Sequence, residues 1–313
     1  MLQLGFGLVV VASTIAVVGT GPLIRGVLAV SPLAILFAAA FTAVATLAAT
    51  WRWRTVSAAL GVPLPWATSV AAYYRSQFLN TVLPGGVIGD VHRAYRQGEQ
   101  NGEVGRAARA VATERGAGQV IQAVLTVVVL IVLSLAGPLI ELAWIGAAVL
   151  GGVVVALVVV AVTIRGRRLL RRELSLLRLT FGSPASSLSV LVASVVVVVA
   201  HAATFVVACL AIGIAASPRE LVALALVALA AAALPLSIGG WGPREAASAS
   251  VFALVGLGAG AGLAASTAFG VLTMVSVLPG LAVLIVEWAT ARPRAVRTAV
   301  AYPAATYPEE SAA

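Results

Sequence analysis

The sequence predicts an all-α protein, a polytopic bundle of transmembrane helices built from two inverted repeats. Three observations predict it. The 313-residue chain is 61% hydrophobic and only 10% charged, with a mean hydropathy of +1.07, well outside the range of soluble domains. Charge-free runs recur at 1–24, 26–51, 116–140, 142–164, 179–218, 221–243 and 246–286, and most exceed the ~20 residues that cross ~30 Å of hydrocarbon. All 20 basic residues are arginines, and they gather at the ends of those runs rather than on a soluble module. A pI near 11.1 therefore reflects membrane topology, not nucleic-acid binding.

The elements follow in order. The first run, "LQLGFGLVVVASTIAVVG", has neither the positive n-region nor the A-x-A cleavage site of a signal peptide, so a retained span is predicted over 4–20. Further spans are predicted at 31–50, 117–136, 142–164, 187–212 and 263–288. Eight arginines fall in 51–115, six in 165–178 and three in the tail. The positive-inside rule makes those regions and both termini cytoplasmic, in the inner cell membrane, with short loops around Arg25, Glu141 and Arg219 outside. Between the spans, 64–82 carries Arg75, Gln77 and Asn80, and the stretch from Asp90 is too polar to meet lipid. Segments 221–233 and 246–260 are apolar but short. Each pair is expected to form a re-entrant or broken helical hairpin, giving six full spans plus two hairpins, with eight spans as the alternative. Residues 1–290 then form one domain with halves of about 1–137 and 138–290, and 291–313 a disordered cytoplasmic tail.

The two halves carry matching interruptions. "LPGGVIGDVHR" (83–93) aligns with "LPLSIGGWGPR" (234–244) at an offset of 151, pairing Leu83 with Leu234, Pro84 with Pro235, Gly89 with Gly240 and Arg93 with Arg244. The same offset carries span onto span, each pair reversed in the arginine-derived topology. Offset repeats of opposite orientation are the mark of transporters whose site lies near the midplane, where the halves meet.

The interruptions are expected to end in helix N-termini. Asp90 suits an N-cap before Val91, with Arg93 in the first turn; Gly242, Pro243 and Glu245 suit cap, first and third positions of a second helix. Unpaired N–H groups and the macrodipole favour an anion at such an end, and guanidinium groups bind phosphate or carboxylate in bidentate fashion. An arginine at the bilayer centre costs about 2.5–3.5 kcal/mol on insertion scales, so Arg93 and Arg244 need partners. Those partners are either a ligand's phosphate or carboxylates across the halves, Arg93 with Glu245 and Arg244 with Asp90. Arg75, Gln77, Gln119 and Gln122 are candidates for the cavity wall. His201 is expected to be hydrogen-bonded within the bundle, and Glu287 with Trp288 and Arg292 to form an interfacial anchor.

"YYRSQFLNTVLPGGVIGDVHRAY" and "LPLSIGGWGPREAA" resemble the lysylphosphatidylglycerol synthase transmembrane region, a flippase-like integral membrane family that also occurs without a soluble synthase domain. The resemblance covers about 1–290. Its first motif falls on Phe78, Asn80, Leu83, Pro84, Gly85, Gly89, Asp90 and Arg93; its second falls on Pro235, Ser237, Gly239, Gly240, Gly242, Arg244 and Glu245. Ile88 departs from it, standing where a second glycine often precedes the Gly-Asp pair. The substrate-binding candidates are Asn80, Gly85, Asp90, Arg93, Ser237, Gly240, Arg244 and Glu245, which lie in these two motifs. The resemblance implies translocation of a membrane phospholipid or polyprenyl-phosphate-linked lipid with a charged head group.

Enzymatic chemistry has little foothold. The single Cys209 and the distant His92 and His201 give no metal-ligand spacing, and no nucleophile-elbow, zincin or P-loop pattern occurs. No cofactor is implied. An acid/base role for Asp90 with Glu245 is the weaker reading, since carboxylates beside arginines serve as their partners. The expectation is a flippase or carrier; the alternative is a non-transporting membrane subunit that presents a lipid-linked substrate to a separate glycosyltransferase or synthase.

Overall fold

The computed structural model describes residues 13, 14, 16–83, 85–133, 177–233 and 241–290. Most of the predicted first span, the span predicted at 142–164, nearly all of the 165–178 arginine run, Pro84, residues 234–240 and the tail lie outside the described residues. Apart from a single bridge residue, Trp241, every regular element among them is helical.

The helices are α1 (Gly21–Leu28), α2 (Pro32–Ala59), α3 (Trp66–Val82), α4 (Ile88–Asn101), α5 (Val104–Leu133), α6 (Pro184–Ala211), α7 (Pro218–Ala232), α8 (Pro243–Leu254), α9 (Ala259–Ser276) and α10 (Pro279–Thr290). Four segments are long and apolar enough to cross a membrane: Pro32–Ala59, Val104–Val132, Pro184–Ala211 and Ala259–Thr290, the last covering α9 and α10. The polar α3 and α4 and the short α7 and α8 are not among them. Arg25, expected in a loop, lies within α1, whose Gly26 sits against the α9 backbone with no space for a β-carbon.

Local chemistry sets the helix starts. A Ser-Pro pair opens α2, α6 and α7; proline loses nothing at the first turn, where its missing N–H has no partner to find. Ser31 accepts from the Ala34 N–H at 3.2 Å, and Ser217 and Glu220 cap each other's backbone at 3.3 and 2.7 Å.

The tightest packing joins α2 to α6. They run antiparallel: Val56 meets Val190 in one apolar cluster, Ala49 meets Val197 in the next, and Ala34 and Ala38 share a third with Phe205 and Cys209. Small side chains let the backbones approach, and Phe205 of α6 joins Leu224 of α7, Phe252 of α8 and Leu272 of α9 in the largest buried cluster. Val120, Val124, Val128 and Val132 form an exposed apolar row along α5, a face suited to acyl chains.

Candidate functional site

The site forms where α3 hands over to α4. Gly85 and Gly86 turn the chain at φ 94° and 62°, a conformation other residues adopt only with strain. Asp90 is not the N-cap of α4 as expected. The helix begins at Ile88, and Asp90 lies in its first turn because Asn80, reaching from α3, accepts the Gly89 N–H at 2.7 Å and does the capping. Gly89 rests against the Ser76 backbone, where a β-carbon would collide. The positive end of α4 is thus filled by the chain's own side chains.

Around that turn lies a buried ionic network. Glu114 of α5, wholly excluded from solvent, accepts from Arg52 Nε (2.9 Å) and Nη2 (2.5 Å), Arg93 Nη2 (3.0 Å) and the Tyr73 hydroxyl (3.2 Å). Asp90 accepts from Ser76 (3.1 Å), Asn80 Nδ2 (3.0 Å), Arg93 Nη2 (3.0 Å) and Arg115 (2.6 Å). The Arg93 guanidinium lies over Trp53 and Tyr73, 4.3 and 4.4 Å from the ring centres. Arg52 continues the chain of bonds to Ser194 of α6 at 2.9 Å.

Arg244 belongs to a second network. Its Nε donates to Glu245 (3.0 Å) and Ser266 (2.9 Å), its Nη2 to Glu245 (2.5 Å), and it lies 5.0 Å from Trp241 and 5.2 Å from Phe269. Glu245 also accepts the Gly242 N–H at 2.6 Å, so the expected cap, proline and third-position carboxylate of α8 are in place. The two arginines therefore do not converge on one pocket among the described residues, nor do they bridge the halves with Glu245 and Asp90. Each is neutralised within its own half, because a carboxylate one, three or twenty-one positions away reaches it first. Among the described residues Asp90 and Glu245 share no partner and form no carboxylate pair.

A cavity of about 150 Å³ adjoins the first network. Arg52, Tyr73, Gln77, Arg115, Gln119 and Gln122 line it from the first half, and Ser194 and His201 from α6. The three glutamines thus stand where expected. Gln77 also accepts from Thr46 at 2.9 Å, and Gln119 donates to the Ala233 carbonyl at 3.4 Å. His201 is cavity wall. Arg75 is not, although it was expected there. Two residues from Gln77 on one helix, it points about 200° away and pairs with Glu287 of α10, which also binds Arg96 at 3.1 Å. Glu287 is accordingly an interhelical clasp; Trp288 beside it is exposed, and Arg292, the third residue of the expected interfacial anchor, lies outside the described residues. Ser237 and Gly240 lie outside the described residues. A wider depression of about 330 Å³, lined by Arg106, Arg109 and Leu179, lies at the end of α2, away from this chemistry.

Arg52, Tyr73, Glu114 and Arg115 escaped the sequence reading. The acid–base doublet Glu114–Arg115 at the mouth of the 116–140 run was the available signal. A family model described as "Lysylphosphatidylglycerol synthase TM region" matches residues 1–280. No curated protein and no solved structure matches the chain.

Proposed function

The chain belongs to the lysylphosphatidylglycerol synthase transmembrane-region family, and on that premise we propose that it carries a lipid with an anionic, phosphate-bearing head group across the cell membrane, with no catalytic step of its own. One observation carries this reading. Three guanidinium groups, Arg52, Arg93 and Arg115, face two carboxylates, Asp90 and Glu114, and two of the three line the cavity. Among the described residues the positive charge is in surplus by one, with Arg52 and Arg93 buried and the Arg115 side chain 40% exposed, and an anion in the cavity would balance it.

The proposed carrier has inverted halves. Support comes from recurrence: α2 and α6, each 28 residues long, start 152 positions apart and pack antiparallel. Helices of 17 and 14 residues follow the first, helices of 15 and 12 the second. Exchange of the halves carries the α3–α10 contact onto α7–α5 and the α4–α5 contact onto α8–α9. The cavity takes its walls from both halves, so rocking one against the other would open it to either side in turn.

The test is reconstitution in liposomes with an acyl-labelled phosphatidylglycerol and a membrane-impermeant quencher. Arg115→Gln removes the surplus charge and leaves Asp90 with Arg93, Ser76 and Asn80; transport is expected to fall about tenfold or more, equivalent to about 1.4 kcal/mol, with the protein still monodisperse. Unchanged transport in both this variant and Arg93→Ala rejects the site. Absence of transport with co-purification of a glycosyltransferase or synthase replaces the carrier with the substrate-presenting subunit.

A further inference from the structure

The depression of about 330 Å³ at the end of α2 stands apart from the cavity beside the ionic network. Ala59, Leu60 and Gly61 line it from the end of α2, Arg106 and Arg109 from α5, and Leu179 from the segment entering α6. Among the described residues no carboxylate lines it. Arg106 and Arg109, three positions apart, share one face of α5. The carboxylate paired with Arg106, Glu103, stays 3.6 Å away, beyond hydrogen-bond reach, and both side chains are about half exposed. Arg106 also lies in the first turn of α5, which begins at Val104, where the helix dipole disfavours a cation. Nor does α2 need these arginines at its C-terminus. Its carbonyls at Val56, Ser57 and Ala58 already accept from the backbone N–H groups of Leu60, Val62 and Gly61 at 3.1, 2.9 and 3.1 Å. Two cations near the positive end of a helix, with no carboxylate in the wall, call for an anion from outside the chain.

The position of the depression points to that anion's source. Trp66, shortly after the end of α2 and 42% exposed, lies 5.1 Å from the Arg54 guanidinium, a pairing suited to a membrane surface. Leu179, apolar and exposed, shares the lining with the two guanidinium groups, as the junction between a phosphate and its acyl chains requires. The volume falls within the ~300–1,000 Å³ of small-molecule pockets. We propose that this depression seats the phosphate of an anionic phospholipid of the cytoplasmic leaflet, a resident lipid distinct from any cargo. Arg106 and Arg109 hold the phosphate, and Ala59, Leu60 and Leu179 border the glycerol and upper acyl chains. Basic pockets between helices on the cytoplasmic side take anionic head groups for this reason. Because α2, α5 and the segment entering α6 all contribute, the lipid joins the two halves at one end. The proposal does not depend on the carrier reading, since a non-transporting subunit would hold the same lipid.

The experiment uses the full chain carrying Cys209→Ala and Leu177→Cys, bimane-labelled at that thiol and reconstituted in phosphatidylcholine nanodiscs. Leu177 is exposed, two positions from Leu179 and outside the lining. Phosphatidylglycerol or phosphatidylcholine with a nitroxide near the top of one acyl chain is added at equal mole fraction, and quenching is read. Phosphatidylglycerol is expected to be enriched on the order of tenfold over phosphatidylcholine, the scale that two arginines at a membrane surface provide. Arg106→Gln with Arg109→Gln should abolish the excess. Arg106→Gln alone, at an exposed side chain, should reduce it with the protein still monodisperse, and it decides the matter if the double variant fails to fold. Arg115→Gln, which alters the other cavity, should leave the excess unchanged, whether or not the chain transports lipid. Equal quenching by the two lipids overturns the proposal, as does an excess that survives loss of the arginines. Inorganic phosphate that removes the excess better than sodium chloride of equal ionic strength makes this a soluble-phosphate site and overturns the lipid. So does loss of a co-purified enzyme on the same substitutions without lipid enrichment, which makes it a protein-docking surface.

Discussion

Glu114 holds two guanidinium groups and a phenol at once, and it does so without any contact with water. Glu114→Gln leaves Arg52 and Arg93 short of a counter-charge in a buried setting. Breaking a buried ion pair from one side costs about 3–5 kcal/mol, so this variant should show a much lower midpoint in thermal or SDS denaturation than Arg115→Gln. His92 makes a smaller statement about pH. Burial, with Arg75 and Arg96 beside it, holds its imidazole below the ordinary histidine range, and its Nδ1 has no partner. The folded chain then binds fewer protons than the unfolded one as the pH falls below about 6.5, so stability declines with acidification. Melting curves between neutral and mildly acidic pH check this, and His92→Asn should flatten the slope.

The helices around the two breaks were legible because proline, glycine and lone polar residues cannot continue a lipid-facing helix. "LPGGVIGD" and "GGWGPRE" announced both interruptions, and the start of α8 followed the expected capping residue by residue. The partners of the arginines were not legible. Arg52 counted toward the cytoplasmic charge of 51–115, yet it lies buried on α2, since a tally of guanidinium groups carries no information about which way each one faces. Glu114 lies 62 residues from Arg52 and 21 from Arg93, distances that only the packing of α2, α4 and α5 closes. At this scale the Glu287 clasp makes a further prediction. It ties α10 to α3 and α4 through Arg75 and Arg96, and Gly280 meets α3 at the other end of α10. If halves rock, that clasp has to open, so Glu287→Gln should raise hydrogen exchange in α3, α4 and α10 while leaving the α2–α6 pair protected.

For the whole molecule, the proposed topology is testable with the chain's single thiol removed. In a Cys209→Ala background, Gly102→Cys should react only from the cytoplasm, and Ser31→Cys and Arg219→Cys only from outside; the opposite pattern would reverse the orientation. The exchange of halves is not complete in chemistry. Arg52, Glu114 and Arg115 of the first half correspond to Thr204, Ser266 and Thr267 of the second at the 152-residue spacing, so the charge is concentrated on one side of the repeat. That asymmetry bears on how the protein is made. Arg52 leaves the ribosome 62 residues before Glu114, which at about 5–20 residues per second is a wait of roughly 3 to 12 seconds with no counter-ion. Helix α2 must therefore be sheltered at the insertion machinery until α5 arrives, and a nascent chain stopped before residue 114 should be released to proteolysis rather than stay embedded.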